Sequence, residues 1–224
     1  MSDADTRIAA ILDEIGARDV LDIGCGAGAL ARRLAERGHV VTGLDPAHEA
    51  IAAARARMPE ARLAVGGAEA LPFGDASFDA GIFLNALHHV PGPLMRTALR
   101  EALRVLRPGG EVIVVEPLAR GAFFEVMRPV EDETEIRHAA IAAIDASLDA
   151  GEATGPAPVT WDRPTPMADV EAFITHLARV DPARWAVAEA RRDEIARLFA
   201  RHARQTEDGP VLDQPLRLWR LRPA

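Results

Sequence analysis

Three glycines spaced two apart, Gly24, Gly26 and Gly28, follow an aspartate, Asp22, in the stretch VLDIGCGAGALARRL. A second aspartate, Asp45, comes about 20 residues later, where a carboxylate at the end of a second strand meets the hydroxyl pair of a ribose. Glycines at a strand-to-helix turn let a ligand come close to the backbone and leave N–H groups at the helix start to receive it. Together these features call for a ligand that carries a nucleoside. Its charge is constrained as well. The spacing is G-x-G-x-G, not the G-x-G-x-x-G of dinucleotide sites, and the Asp22 carboxylate would repel a pyrophosphate. A cationic or zwitterionic nucleoside suits it better.

Groups able to move a proton are few. The chain contains no lysine and no tyrosine, which removes Schiff-base and phenol chemistry. His88 and His89 follow a strand-like run, and Glu116 ends another. Each is a candidate base or substrate contact, and each has a plain alternative, packing for the histidines and helix capping for the glutamate. Arg137 falls in a stripe with Val130, Thr134, Ile141, Ile144 and Leu148, at alternating four- and three-residue spacing. An inward guanidinium needs an acceptor, either the anionic group of a substrate or a nearby carboxylate such as Glu133. Trp161, among prolines, reads as a lid residue or a plug. The acidic run EDETE has no histidine at zinc-site spacing and reads as a solvated helix start, so no metal is expected.

The elements that position these groups alternate. A short helix over Ile8–Ile15 precedes a strand, VLDIG, and a helix through Leu30 and Leu34. A strand ends on Asp45, and an alanine-rich helix and a third strand follow. A fourth strand spans about Asp79 to Leu84. A helix buries Leu94, Ala98, Leu99, Ala102 and Leu106, a Pro-Gly-Gly turn follows, and EVIVVEP makes a fifth strand. Strand and helix in turn predict an α/β fold, a Rossmann-like doubly wound sheet, mostly parallel. After Pro117 the rhythm breaks. Residues 121–150 read as helical, GEATGPAPVTWDRPTP with its four prolines as irregular, Thr165-Pro166 and Asp181-Pro182 as the starts of two helices, and QPLRLWRL as a last, antiparallel strand.

The 224 residues, 49% hydrophobic, suffice for one domain with an elaboration. A net charge of -8 argues against nucleic acid as the main partner. The single cysteine, Cys25, fits a reducing, cytoplasmic compartment. The N-terminus lacks a signal-peptide core, and no apolar run is long enough to span a membrane.

VLDIGCGAGALARRL, VTGLDPAHEAI, GGAEALPFGDASFDAGIFLNALHHV and LREALRVLRPGGEVIVVEP resemble, in order and spacing, the motifs of class I S-adenosylmethionine-dependent methyltransferases. The likeness is to the small-molecule branch that includes the ubiquinone and menaquinone biosynthesis enzymes, and it covers roughly Val20 to Pro117. It agrees with the charge argument, which favours S-adenosyl-L-methionine over NAD. The resemblance implies that Asp22, Gly24, Cys25 and Gly26 frame the methionine moiety, with Cys25 a small filler and not a nucleophile. It puts Asp45 on the ribose, Pro46 beside the adenine, Ala68 and Glu69 at the adenine edge, and Leu71 on its face. Leu84 and Asn85 would supply backbone contacts near the methionine. The chain departs from the family at Gly67, where an aspartate often accepts from the adenine amine.

The expected function is methyl transfer to a small-molecule acceptor by in-line displacement, with a homodimer left open. The alternatives are an NAD-dependent oxidoreductase and a non-enzymatic S-adenosylmethionine-binding regulatory module. The expected organisation is a single domain, with a cofactor-binding core over 1–120, a helical and loop cap over 121–165 covering the cofactor and making most of the acceptor site, and C-terminal helices with the last strand over 166–224.

Overall fold

A computed structural model describes residues 3–224. The chain forms two compact units. Among the described residues, the first comprises residues 3–116, Ala139–Val159 and Arg217–Ala224; the second comprises Pro117–His138 and Thr160–Leu216.

The first unit starts with α1 (Asp3–Glu14), β1 (Asp19–Ile23), α2 (Ala29–Ala35), β2 (Val40–Asp45), α3 (His48–Arg57) and β3 (Arg62–Val65). It continues with β4 (Phe78–Leu84), α4 (Met95–Arg104) and β5 (Leu106–Pro117). β1 is parallel to both β2 and β4, β2 to β3, and β4 to β5. β1 has buried residues at four successive positions, as a strand covered on both faces must. Because β1 lies between β2 and β4, its carboxyl end is the point where the strand order reverses, the usual ligand crevice of such sheets. α4 buries Met95, Ala98, Leu99, Ala102 and Leu103, one face of a 3.6-residue period. Leu94, expected on that face, is instead exposed, because it lies in a short 3-10 turn before the helix begins.

Beyond β5 the sequence reading is corrected at several points. Residues 121–150 hold two helices, α5 (Ala122–Met127) and α6 (Thr134–Asp149), with Pro129 in the break between them. The proline-rich segment is not irregular. It contains β6 (Ala153–Thr154) and β7 (Val159–Pro166). Along β7 half-buried and exposed residues alternate, and Pro164 and Pro166 both take exposed positions, where a missing N–H is tolerated at a sheet edge. Thr165-Pro166 therefore ends a strand and starts no helix. α7 (Val170–Val180) begins four residues on, capped by Asp169, whose side chain accepts from the Ala172 N–H at 2.8 Å. Asp181 accepts from the Ala183 N–H ahead of α8 (Arg184–Ala190), and α9 (Arg192–His202) makes three helices where two were expected. β8 (Arg204–Thr206) and β9 (Gly209–Pro223) close the chain.

The last strand is antiparallel to β6 and β8, as expected of the C-terminus. The strands run in the order β3-β2-β1-β4-β5-β9-β6, and β7 and β8 also pair with β9. The first unit's core gathers Leu21, Ile23, Phe83, Leu99, Ile144 and Trp219. The second unit has its own, around Phe124, Phe173, Ile174, Ile195 and Leu212. Each such side chain contributes roughly 1.5–3 kcal/mol by burial.

Candidate active site

The glycine turn joins β1 to α2. Gly24, Gly26 and Gly28 have φ of 76°, 52° and 78°, in the left-handed region where side chains are disfavoured. Their surroundings differ. A Cβ on Gly24 would lie 2.6 Å from the Cβ of Ala86, so this glycine permits close packing of two loops. A Cβ on Gly26 would meet nothing within 4 Å, so here the turn borders open space.

The sequence reading expected free N–H groups along the turn. The structure corrects this. Gly24 and Cys25 both donate to the Leu44 carbonyl, at 2.7 and 3.0 Å, and Gly26 donates to Asp45 Oδ2 at 2.9 Å. The other Asp45 oxygen accepts from the Ala47 N–H. Asp45 is thus fixed between the two loops, a link that no local sequence signal announced, while Pro46 beside it is exposed. A turn whose donors are taken in this way is a poor cradle for pyrophosphate.

Asp22 is buried at the end of β1, and its Oδ2 has no hydrogen-bond partner. Burial raises its pKa from 3.8 to about 7, against the opposing pull of the Ala31 N–H and the Arg33 charge. Cys25 is also buried, and burial with the Asp22 and Asp45 charges pushes its thiol up to about 12. A thiol so far from ionisation is no nucleophile at neutral pH.

Leu84 and Asn85 form the facing edge. Asn85 holds a left-handed φ of 52°, rare outside glycine, and donates its N–H to Val115 at 2.8 Å. Its Oδ1 is buried without a partner. In the next turn, Ala86 and Leu87 donate their N–H groups to Glu116 Oε1 at 3.1 and 2.8 Å, and His88 Nδ1 hydrogen-bonds Glu116 Oε2. Glu116 and His88 are 1% and 3% exposed, so the pair is buried. His89 is exposed, its ring 4.1 Å from that of His88.

Ala68 and Leu71 are buried and apolar, and Glu69 is half-buried. Near the family's missing aspartate, a Cβ on Gly67 would lie 2.4 Å from Glu69 Oε1. The Glu69 carboxylate therefore occupies the space a side chain at position 67 would use. Leu71 is latched by α4, its N–H to Glu101 at 3.1 Å and its carbonyl to Arg104 at 3.3 Å. That latch was not anticipated, although Glu101 and Arg104 sit three apart on the polar side of α4.

The remaining candidates lie in the second unit. Arg137 is 5% exposed, and its Nε and Nη2 donate to Glu133 Oε2 at 2.9 and 2.6 Å. Its Nη1 donates to the Leu118 carbonyl, and its guanidinium lies over the Phe124 ring. This is the carboxylate-paired arrangement of the two the sequence left open. Trp161 is half-buried on β7. Among the described residues no three His, Cys, Asp or Glu side chains converge as a metal site, and no helix is long and apolar enough to cross a membrane.

The family model of the methyltransferase domain matches residues 20–110, from β1 to the start of β5. That match takes in 91 of the chain's 224 residues and lies within the first unit. An uncharacterized methyltransferase of Mycobacterium bovis is 42% identical over 99 residues, 44% of this chain and 40% of that protein. A demethylmenaquinone methyltransferase of Renibacterium salmoninarum is 37% identical over 109 residues, 47% of this chain and 45% of that protein. The chain thus spans less than half the length of these curated relatives. Two solved structures share the fold over nearly all of the chain. The YcgJ protein of Bacillus subtilis has a TM-score of 0.67 at 22% identity, with 97% of this chain and 98% of that chain covered. The cyclase SpnF has a TM-score of 0.64 at 22% identity, with 99% and 82% covered. The residues around the glycine turn fit S-adenosyl-L-methionine, the cofactor that the sequence resemblance implies. The open space at Gly26, the two unpartnered buried acceptors on Asp22 and Asn85, and the fixed Asp45 carboxylate offer acceptors to a ligand rich in donors.

Proposed function

We propose that the protein transfers a methyl group from S-adenosyl-L-methionine to a small-molecule acceptor. The observation that carries this reading is the pair of acids at the ends of adjacent strands, Asp22 with an unpartnered buried oxygen and Asp45 fixed against an open glycine turn. When bound, the cofactor supplies an electrophilic methyl group on a sulfonium. Asp45 takes the ribose hydroxyls, Glu69 accepts from the adenine amine, and Ala68 and Leu71 enclose the ring, with Pro46 at its edge. Asp22 and Asn85 accept from the amino acid end, where Gly24, Cys25 and Leu84 complete the wall.

The chain's work in such a displacement is largely alignment and exclusion of water, worth about 7–11 kcal/mol when the geometry is right. Where the acceptor must lose a proton, His88 is the candidate base. Glu116 accepts from its Nδ1, which leaves Nε2 as the basic nitrogen. His89, exposed beside it, is a candidate acceptor contact. The names of the quinone-modifying relatives and the net charge of -8 support a small molecule over nucleic acid. The lone cysteine supports a cytoplasmic setting.

The NAD reading finds no support in a turn whose N–H groups are occupied. A fold neighbour named a cyclase shows that the fold alone does not fix the reaction. The test is calorimetry of the purified protein with S-adenosylhomocysteine and with NAD. We expect binding of the first alone, weakened in Asp45→Ala by roughly 1.5–3 kcal/mol for a charged hydrogen bond lost. Tight NAD binding overturns the assignment, and an unchanged Asp45→Ala affinity removes Asp45 from the ribose.

A further inference from the structure

Arg137 is saturated by its neighbours, but another arginine of the second unit is not. Trp161, Arg163, Thr165 and Met167 follow one another at period two on the sheltered side of the β7 segment, while the residues between them are exposed. Among the described residues Arg163 makes no ion pair, no hydrogen bond and no stacking contact, and it lies in the field of another cation, Arg137. Two residues along the same face, the Thr165 hydroxyl oxygen is buried with no partner. His176 on α7 also lies within the field of Arg163, and its ring packs edge-on against Phe123 at 5.7 Å. Phe123 in turn packs against Phe173 at 5.3 Å.

The charges of this cluster do not balance. Arg137 pairs with Glu133, and Arg184 pairs with Glu131 and Glu133. With Arg179 on α7, which also acts on His176, four guanidiniums face two carboxylates, and Arg163 and Arg179 are left without one. A half-buried cation without a counter-ion is unfavourable. A planar fork of donors, a spare hydroxyl and aromatic walls match a planar carboxylate better than a tetrahedral phosphate.

We infer that the second unit holds a carboxylate-binding site built on Arg163 and Thr165, with His176 and Phe123 beside it. The site does not rest on the proposed methyltransferase function. It also moves the anion-binding role that the sequence suggested for Arg137 to a residue the sequence did not single out.

The probe is benzoate, with benzamide and inorganic phosphate as controls, titrated into the full chain by calorimetry. Saturable binding of benzoate, no binding of benzamide, and weaker binding of phosphate are expected. Arg163→Gln should weaken benzoate by ten-fold or more, as loss of a charge-assisted pair requires. Arg163→Lys, which keeps the charge and loses the fork, should fall between. Because Arg163 supports no internal partner, neither variant should lower the melting temperature. The site is refuted if benzoate does not bind the wild type, if benzamide or phosphate binds as well as benzoate, if Arg163→Gln binds benzoate unchanged, or if both variants are destabilised. S-adenosylhomocysteine titrated into the same samples separates the two ideas. Its failure to bind overturns the methyltransferase reading and leaves the benzoate result standing on its own.

Discussion

Replacing Asp22 by Asn tests the electrostatics of the cofactor turn directly. The folded chain holds this carboxyl at a pKa of about 7, whereas the unfolded chain restores it to 3.8. Between those values the folded state binds the extra proton, so stability falls as pH rises through the window. Across pH 5 to 8 the linkage relation gives a loss of about 2.5 kcal/mol from this group alone. Asparagine has nearly the same shape and no charge, so the variant escapes that loss. Urea titrations of both proteins at pH 5 and pH 8 should show the stability of Asp22→Asn, relative to wild type, improving by about 2.5 kcal/mol from the lower pH to the higher. Loss of the Ala31 contact or any packing change would shift both measurements equally and leave the difference intact. A relative stability that is the same at both pH values would mean that Asp22 stays ionised when buried, and the account of its desolvation would be wrong.

Glu116→Ala should cost roughly 3–5 kcal/mol in urea melts, because it leaves His88 and two buried N–H groups without their acceptor. Glu116→Gln, which keeps an oxygen for those N–H groups, should lose clearly less, and equal losses would refute the assigned bonds. At the adenine edge, Glu69→Ala should weaken S-adenosylhomocysteine in calorimetry, and adding Gly67→Asp to it should restore affinity, since the space above residue 67 is then free for the family's usual acid. Failure of the double variant to recover would show that the two carboxylates are not interchangeable.

The parallel-sheet part of the molecule was legible because its signals are local. A buried run, glycines at fixed spacing and an acid at the next strand end each act within a few residues, and Asp22, Gly24, Gly26 and Asp45 all lie where the pattern put them. What escaped was set by partners far along the chain. Nothing near Gly26 announces that its N–H is taken by Asp45, and nothing near Gly67 shows Glu69 folding over it. β7 was hidden by its prolines, which mark turns in most contexts and here sit on exposed edge positions. Arg137 could be placed on an inward face, and Glu133 four residues before it was a legible partner. Arg163 could not be found that way, because having no partner is a property of the fold and not of the neighbouring letters.

The C-terminal strand carries a consequence for how the protein is made. Glu111 in β5 is fully buried and is held by two arginines of β9, Arg220 and Arg222, while Arg220 also reaches Glu14 at the end of α1. β9 also lies beside β5 in the sheet. A nascent chain that has emerged only as far as β5 holds the whole cofactor signature yet leaves that strand's outer edge bare and the Glu111 charge without its counter-ions. An open edge of this kind invites pairing with other chains. The sheet can be sealed only after every residue of the second unit has been synthesised, so the first unit to leave the ribosome is the last to be completed.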